Sequence, residues 1–310
     1  MTRIGVIGAT GAVGSVALEL LAERGFDNVR AFASARSEGK TVSYGDRNLV
    51  VEEATPDALD DLDLCFFSVG TAASRELVPH AVRRGAVCID KSDAYRLADG
   101  VPLVVAGVND DVLDHDDIVA NPNCSAIQLC CVLKPLEVAG GIARVRLATY
   151  QSASGAGDPG IDRLRATTPD TTDLAMDWEL DGDEYSEEAK IRAETRKILV
   201  LHDLPLQANC VRVPVMVGHA QAVWVETREP LTPEQAREVL AAAPHVQLAE
   251  APTPRNAAGA DDVLVGHIRR DPTVDRGLLL WSVCDNLRKG AALNAIQIAE
   301  LLLARRLLAA

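Results

Sequence analysis

The chain has 310 residues, 48% of them hydrophobic, and a formal net charge of −14. That length suits about two domains of roughly 150 residues each, and the hydrophobic content excludes global disorder. The acidic balance argues against nucleic acid or an anionic membrane as the main partner, because both carry the same sign.

The opening elements predict a doubly wound domain. TRIGVIGA (2–9) reads as a short apolar strand, with no basic leader or signal-type apolar segment before it. TGAVGSVALELLAERG (10–25) follows as an amphipathic helix that Gly25 would close. Between them, Gly8, Thr10, Gly11, Ala12, Val13 and Gly14 form a Gly-x-x-Gly-x-x-Gly turn. Glycines at a strand-to-helix turn permit close backbone approach to a pyrophosphate, and the helix N-terminus faces its charge. NVRAFAS (28–34) is predicted as the second strand. NAD sites usually carry an acidic residue at that strand's end to hold ribose hydroxyls. Here the stretch is FASARSEGK, and Ser34, Arg36, Ser37 and Lys40 offer hydroxyls and cations for a 2′-phosphate. The expected cofactor is therefore NADP(H). DLCFFSV (63–69), SRELVPHAVRRG (74–85) and AVCID (86–90) repeat the strand–helix–strand pattern, with further apolar runs at PLVVAGV (102–108) and DIVANP (117–122). Alternating strands and helices imply a parallel sheet.

ANPNCSAIQL (120–129) places Cys124 at a break. Pro122 ends the preceding element, Asn123 is a good helix cap, and the sulfur falls in the first turn of a helix. Free N–H groups and the macrodipole there favour a thiolate, and hence a nucleophile, although a buried structural cysteine is the plain alternative. The seven cysteines lack paired metal spacings, and Cys130 and Cys131 are adjacent. No metal site is expected, and free thiols in a reducing cytoplasm are.

The texture then changes. RVRLATYQSASGAG (144–157) predicts a strand ending in a Gly/Ser turn, and residues 158–189 are polar and acidic, fitting a long loop or loose helix. VRVPVMVGHAQAVWVET (211–227) predicts one or two strands. LTPEQAREVLAAA (231–243) predicts a helix with a Thr232 cap and Glu234 as its capping-box partner. Strands VLVGHIRRD (263–271) and GLLLWSVCD (277–285) precede a long helix, NLRKGAALNAIQIAELLLARRL (286–307). The expected architecture is a Rossmann-like parallel sheet over 1–122 plus 290–310, and an α+β domain with a mixed sheet over 123–289. Candidate polar residues in the second half are Gln151 before its turn, Glu187 and Lys190 on one helix face, and Arg212 and His219 seven apart. Each, taken singly, also fits a surface or structural role.

Taken together, GATGAVG, FASARS, ANPNCSAIQL, TYQSASGAG, ETRKIL, CVRVPVMVGH and DNLRKGAALNAIQIAELL resemble the aspartate-β-semialdehyde dehydrogenases, in the family's order. The resemblance implies NADPH-dependent, reversible reduction of β-aspartyl phosphate to the semialdehyde, in lysine, threonine and methionine biosynthesis, by a homodimer. It implies Cys124 as nucleophile, His219 as acid/base and Gln151 as the residue orienting the acyl group. Arg212 would grip the substrate α-carboxylate and Glu187 its α-ammonium. Lys190 and Arg96 would bind phosphate, and Asn286 would contact the cofactor. Three stretches depart from the family: DKSDAYR stands where DNSSAFR is usual, the 158–189 segment is short and acidic, and GHIR replaces GRIR. Asp93 would oppose phosphate beside Arg96 unless it pairs with Lys91. A sibling reductase for a related acyl phosphate, and a non-catalytic cofactor-binding paralogue, are the alternatives these departures leave open.

Overall fold

The computed structural model describes residues 2–167, 176–305 and 307–308. The chain divides into two compact units, residues 1–122 with 291–310, and residues 123–290.

In the first unit, β1 (Ile4–Ile7), α1 (Ala12–Glu23) and β2 (Val29–Ala33) follow the predicted order. A hairpin of β3 (Thr41–Tyr44) and β4 (Arg47–Glu53) comes next. The sequence reading did not anticipate it, because its short strands fully bury only Tyr44 and Val51 and leave most other positions open to solvent. Then come β5 (Leu64–Phe67), α2 (Thr71–Arg83), β6 (Val87–Asp90) and β7 (Ile118–Ala120). PLVVAGV forms no strand of its own, only a bridge from Leu103 to Ala120. The sheet order is β3-β4-β2-β1-β5-β6-β7, parallel except for the β3–β4 pair.

The strands β1, β5 and β6 are buried along their whole length, as a sheet covered on both faces requires. Ile4 and Val6 pack with Leu18 and Leu21 of α1 and with Ile296 and Leu302 of the final helix. Ile7 and Phe67 face Leu77 and Val78 of α2 on the other side. Each such side chain, fully buried, contributes about 1.5–3 kcal/mol. Successive parallel strands are added outward in opposite directions from β1, so the turn after β1 opens at the switch point where α/β sheets place ligands.

The second unit contains α3 (Cys124–Gly140), β8 (Ile142–Gln151), α4 (Gly157–Thr167), the short hairpin β9 (Leu180–Asp181) and β10 (Glu184–Tyr185), and α5 (Ser186–Leu199). It continues with β11 (Leu206–Arg212), β12 (His219–Thr227), α6 (Pro233–Ala241), β13 (Val246–Leu248), α7 (Pro254–Ala257), β14 (Val263–Asp271) and β15 (Gly277–Cys284). The polar 158–189 segment is thus partly helical and partly a small hairpin; residues 168–175 of it lie outside the described residues. The sheet order is β11-β8-β12-β15-β14-β13, with parallel and antiparallel neighbours mixed. The helix α3 packs on this sheet, with α5 and α6 beside it.

Two local expectations are corrected. The Thr232 capping box closes with Gln235, not Glu234, because Gln235 is the third helical residue and its side chain reaches the Thr232 N–H. The last helix starts with a π turn at Arg288–Ala292 before α8 (Leu293–Ala304). His267 of the GHIR stretch is exposed at φ +50, on a bulge between β14 and β15. Among the described residues no helix is long and apolar enough to cross a membrane, and no group of three or more His, Cys, Asp or Glu side chains could hold a metal ion.

Candidate active site

The glycine turn in the first unit has the shape its spacing suggests. Gly8 sits at φ +91, and a Cβ there would lie 2.3 Å from the Ser68 carbonyl oxygen. A Cβ on Gly14 would lie 2.1 Å from the Gly8 carbonyl oxygen. Neither position can carry a side chain, whereas Gly11 has room for one. Gly11 caps α1 without a side-chain hydrogen bond, so no side chain blocks the first N–H groups of Ala12, Val13 and Gly14. Ser34, Arg36 and Ser37 form a 3-10 turn directly after β2, with Ser34 and Arg36 exposed, and Lys40 reaches the Ser37 hydroxyl at 3.4 Å. Asp93 pairs with Arg96 itself at 2.9 Å, and Arg96 also donates to the carbonyls of Asn121 and Lys91.

In the second unit the topology gathers the predicted residues. The strands β8 and β11 run parallel, and their last residues, Gln151 and Arg212, are register partners. The strand β12 runs antiparallel to both β8 and β15, so its first residue, His219, starts where those strands end. Residues between Arg212 and His219 cross the end of β8, held there by Ala153 N–H to the Val215 carbonyl and Ser154 N–H to the Met216 carbonyl. Pro214 and Gly218 in that crossing explain why one alternating run became two strands.

Asn123 caps α3 as predicted, accepting from the N–H groups of Ser125 and Ala126 at 2.8 and 3.2 Å. Its own N–H donates to the Glu194 carboxylate at 2.6 Å, and its side-chain amide donates to Glu187. Three anchors therefore fix the residue before Cys124. Cys124 is the first helical residue and is half-buried, while the other six cysteines are buried. Burial pushes the thiols of Cys130, Cys131, Cys210 and Cys284 up; Cys88 is raised by its hydrogen bond to Cys65 and then by burial. Gln221, two residues into β12 from His219, donates to the carbonyl of Ser125 at 2.9 Å, and a Cβ on Gly290 would lie 3.1 Å from Cys124 Cβ and 3.4 Å from the carbonyl oxygen of Asp285, which follows Cys284, the strand partner of His219. Nucleophile candidate, imidazole and guanidinium thus share one end of one sheet.

Glu187 is 5% exposed and accepts from Asn123 and from Gln151, the latter at 2.9 Å. Gln151 also donates to Thr149, which engages both hydrogens of its amide nitrogen. Its carbonyl oxygen, rather than its amide nitrogen, is what Gln151 can offer a ligand. Lys190 lies one turn on from Glu187 on α5 and is partly exposed. Asn286 was expected at the cofactor. Here its side-chain oxygen accepts from Ser152 Oγ, Ser154 Oγ and the Gly218 N–H, and its amide nitrogen donates to Ser154 Oγ.

The surroundings of His219 decide its protonation. The ring is fully buried, and its Nδ1 accepts from the Ser152 N–H at 3.1 Å. A backbone donor aimed at Nδ1 requires a lone pair there, so the neutral ring carries its hydrogen on Nε2. Among the described residues, Nε2 has no hydrogen-bond partner. Burial, and then the nearby Arg212 charge, lower the His219 pKa to about 3. Gly155 makes this packing possible, since a Cβ there would lie 2.8 Å from both Arg212 Nη1 and His219 Cε1. Ser152 and Glu194 were not singled out by sequence; Ser152 adjoins Gln151, and Glu194 stands in the ETRKIL stretch, but neither position records what it touches.

A stability effect follows from this burial. Between pH 6.5 and about 3 the unfolded chain binds a proton at residue 219 that the folded chain refuses. Stability should therefore fall with acidification below pH 6.5, by about 1.4 kcal/mol per pH unit for this one group. His245, lowered to about 4 by burial and then by Lys289, acts in the same direction. Urea unfolding of wild type and His219→Gln from pH 4.5 to 7 should give a shallower slope in the variant, by close to one proton. Parallel slopes would show that His219 is not buried in the neutral form.

Comparison with known proteins places these features in a family. Residues 3–115 match the semialdehyde dehydrogenase NAD binding domain, and residues 133–289 match the semialdehyde dehydrogenase dimerisation domain. The aspartate-semialdehyde dehydrogenase of Corynebacterium glutamicum is 42% identical, over 97% of this chain and 99% of that protein. The Bacillus subtilis enzyme of the same name is 38% identical over 96% of each. The crystal structure of aspartate semialdehyde dehydrogenase II from Vibrio cholerae, complexed with ASA, superposes with a TM-score of 0.93 at 39% identity, covering 98% of both chains. Aspartate semialdehyde dehydrogenase with NADP from Candida albicans superposes at 0.79 with 25% identity, covering 99% of this chain and 100% of that one. A nicotinamide-dinucleotide-binding domain and a dimerisation domain are thus both present, and the chain belongs to the aspartate-semialdehyde dehydrogenase family.

Proposed function

We propose that this protein catalyses the reversible, phosphate-dependent interconversion of β-aspartyl phosphate and aspartate β-semialdehyde with NADP(H), as a step of lysine, threonine and methionine biosynthesis. One observation carries the reading: the half-buried Cys124 opens α3 in the same unit, and at the same sheet end, as the buried Arg212 and the unpartnered Nε2–H of His219.

The residue types suit the chemistry. A thiolate at a helix start is favoured by the macrodipole and can add to the activated carbonyl carbon of an acyl phosphate. The C–S bond forms, the C–O bond to phosphate breaks, and a thioester on Cys124 remains. When bound, NADPH supplies the hydride that reduces the thioester. The tetrahedral oxyanion then collapses, expelling the Cys124 thiolate and leaving the aldehyde. Each tetrahedral stage places negative charge on the former carbonyl oxygen, and a donor is needed there. The amide hydrogens of Gln151 and the Ser125 and Ala126 N–H groups are engaged elsewhere, whereas the Nε2–H of His219 is available. Donation suits the tautomer that the Ser152 N–H selects. Acting as a base for the thiol requires a proton on Nδ1 instead, against the Ser152 N–H.

Arg212, 5% exposed, has the paired donors to grip an α-carboxylate. Glu187 retains lone pairs for an α-ammonium after its contacts to Asn123 and Gln151. Lys190 and Arg96 supply the cations for phosphate, with Asp93 reducing the net charge at Arg96. The Gly8–Gly14 cradle, which no Cβ could enter, fits a pyrophosphate. Arg36 between Ser34 and Ser37, at a strand end that carries no carboxylate, supports NADP over NAD. A homodimer is supported by the dimerisation-domain match and by the exposed faces of Tyr150 and Trp224 on the sheet of that unit. Seven free cysteines fit a cytoplasmic setting.

The decisive assay follows reduction of NADP by aspartate semialdehyde with and without inorganic phosphate. Phosphate-dependent turnover, faster with NADP than with NAD, is expected. Turnover only with another semialdehyde would assign a different substrate, and cofactor binding without turnover would overturn the enzymatic reading.

A further inference from the structure

The proposed carboxylate grip is already holding a carboxylate of the chain. Asp177 Oδ1 lies 3.3 Å from both Nε and Nη2 of Arg212, the edge of the guanidinium that makes bidentate pairs. The third donor, Nη1, is engaged with the Ser152 carbonyl at 3.0 Å. Trp178, the next residue, lays its ring 4.6 Å from the Arg212 guanidinium carbon. The other oxygen of Asp177 accepts from Arg163 Nη2 at 2.5 Å. The three side chains differ in exposure: Arg212 is 6% exposed, Asp177 18% and Arg163 50%. Burial opposes ionisation of Asp177, but Arg163 and Arg212 outweigh it and hold the carboxyl below its ordinary range.

A buried guanidinium without an anion is costly, and the chain avoids that state by supplying one. The same contact excludes a second carboxylate from the Nε–Nη2 edge. We infer that Asp177 is an internal stand-in for the substrate carboxylate, bridging Arg212 and Arg163 until an incoming α-carboxylate takes its place on Arg212 and leaves it on Arg163 alone. This rests on the proposed role of Arg212. The exchange keeps the number of ion pairs constant: Arg212 trades one carboxylate for another, and Asp177 retains Arg163. A ligand without a carboxylate has nothing to offer Arg212 in return, so Asp177 acts as a selectivity element as well as a competitor. Its competition also weakens apparent affinity. If Asp177 holds Arg212 about 90% of the time, the apparent binding constant of the substrate is about tenfold weaker than the intrinsic one.

Three variants of the full-length protein test this, with KM for aspartate semialdehyde and calorimetric titration of L-aspartate as a non-reacting probe. Asp177→Asn keeps the shape and removes the charge; it should lower both constants about three- to tenfold. Arg163→Met removes the partner that retains Asp177 when it leaves Arg212, and should raise both. Arg212→Leu should weaken L-aspartate binding at least tenfold. Unchanged or weaker binding in Asp177→Asn, with Arg212→Leu impaired, overturns the stand-in and leaves the carboxylate grip intact. Normal L-aspartate binding in Arg212→Leu overturns the grip itself. Should Asp177→Asn lose its cooperative thermal transition, Arg163→Met decides alone: lower or unchanged constants there overturn the inference.

Discussion

Replacing Cys124 by serine is expected to lower turnover by at least about 10³-fold while NADPH binding persists. The hydroxyl of serine ionises far less readily than a thiol, so the first turn of α3 can no longer present an anion to the acyl carbon. The cap stays intact, because the Asn123 side chain, not residue 124, accepts from Ser125 and Ala126, and because Glu187 and Glu194 hold Asn123 from outside the helix. Fluorescence titration with NADPH should therefore match wild type. Iodoacetamide offers an independent measure: Cys124 is half-buried while the other six thiols are buried, so a single alkylated site coinciding with lost activity is expected. Loss of NADPH binding in the serine variant, or full activity after alkylation of Cys124, would make the thiol structural.

Removing the imidazole should have the second large effect. His219→Ala is expected to reduce kcat about 10²–10⁴-fold. Alanine also leaves the Ser152 N–H buried without an acceptor, at a cost of about 1–3 kcal/mol in stability. His219→Gln separates the two consequences. A glutamine oxygen can accept from Ser152, and its amide can present a donor in place of the Nε2–H. If stabilising the oxyanion is the main task, the glutamine variant should recover about tenfold over alanine. Equal rates for the two variants would move the weight to proton acceptance, and wild-type rates in either would remove His219 from the reaction. The Ser152–Asn286–Gly218 contacts bear on the same question, since they hold the backbone whose N–H selects the tautomer.

Much of the first unit could be read residue by residue. The Gly8–Gly14 turn, the apolar β1 and β5, and the periodic α1 and α2 are local patterns, and local patterns reflect the covering on both faces of the sheet. The β3–β4 hairpin was missed although Gly45-Asp46 is a two-residue turn that fixes its register, because its short strands bury so few side chains. In the second unit the Asn123 cap was legible, and so were the ends of the crossing between Arg212 and His219. The nature of the crossing was not, because it requires knowing that β8 lies between β11 and β12. The Asp93 carboxylate, expected to oppose phosphate beside Arg96, pairs with Arg96 itself, three residues on in the same turn.

The amino-acid order alone singled out the candidate groups, since the Cys124 thiol, the His219 imidazole, the Arg212 guanidinium and the glycine turn each stand in a short stretch with its own cap or break. Tertiary structure decided how those groups are used. The His219 tautomer depends on an N–H sixty-seven positions away, and the anion on Arg212 comes from a segment thirty-five positions earlier. The engagement of the Gln151 amide, at the end of a strand, depends on a carboxylate on helix α5. The physical reason is one of range: caps, turns and periodicity are settled within a few residues, whereas protonation and ion pairing are settled by whatever burial brings into contact.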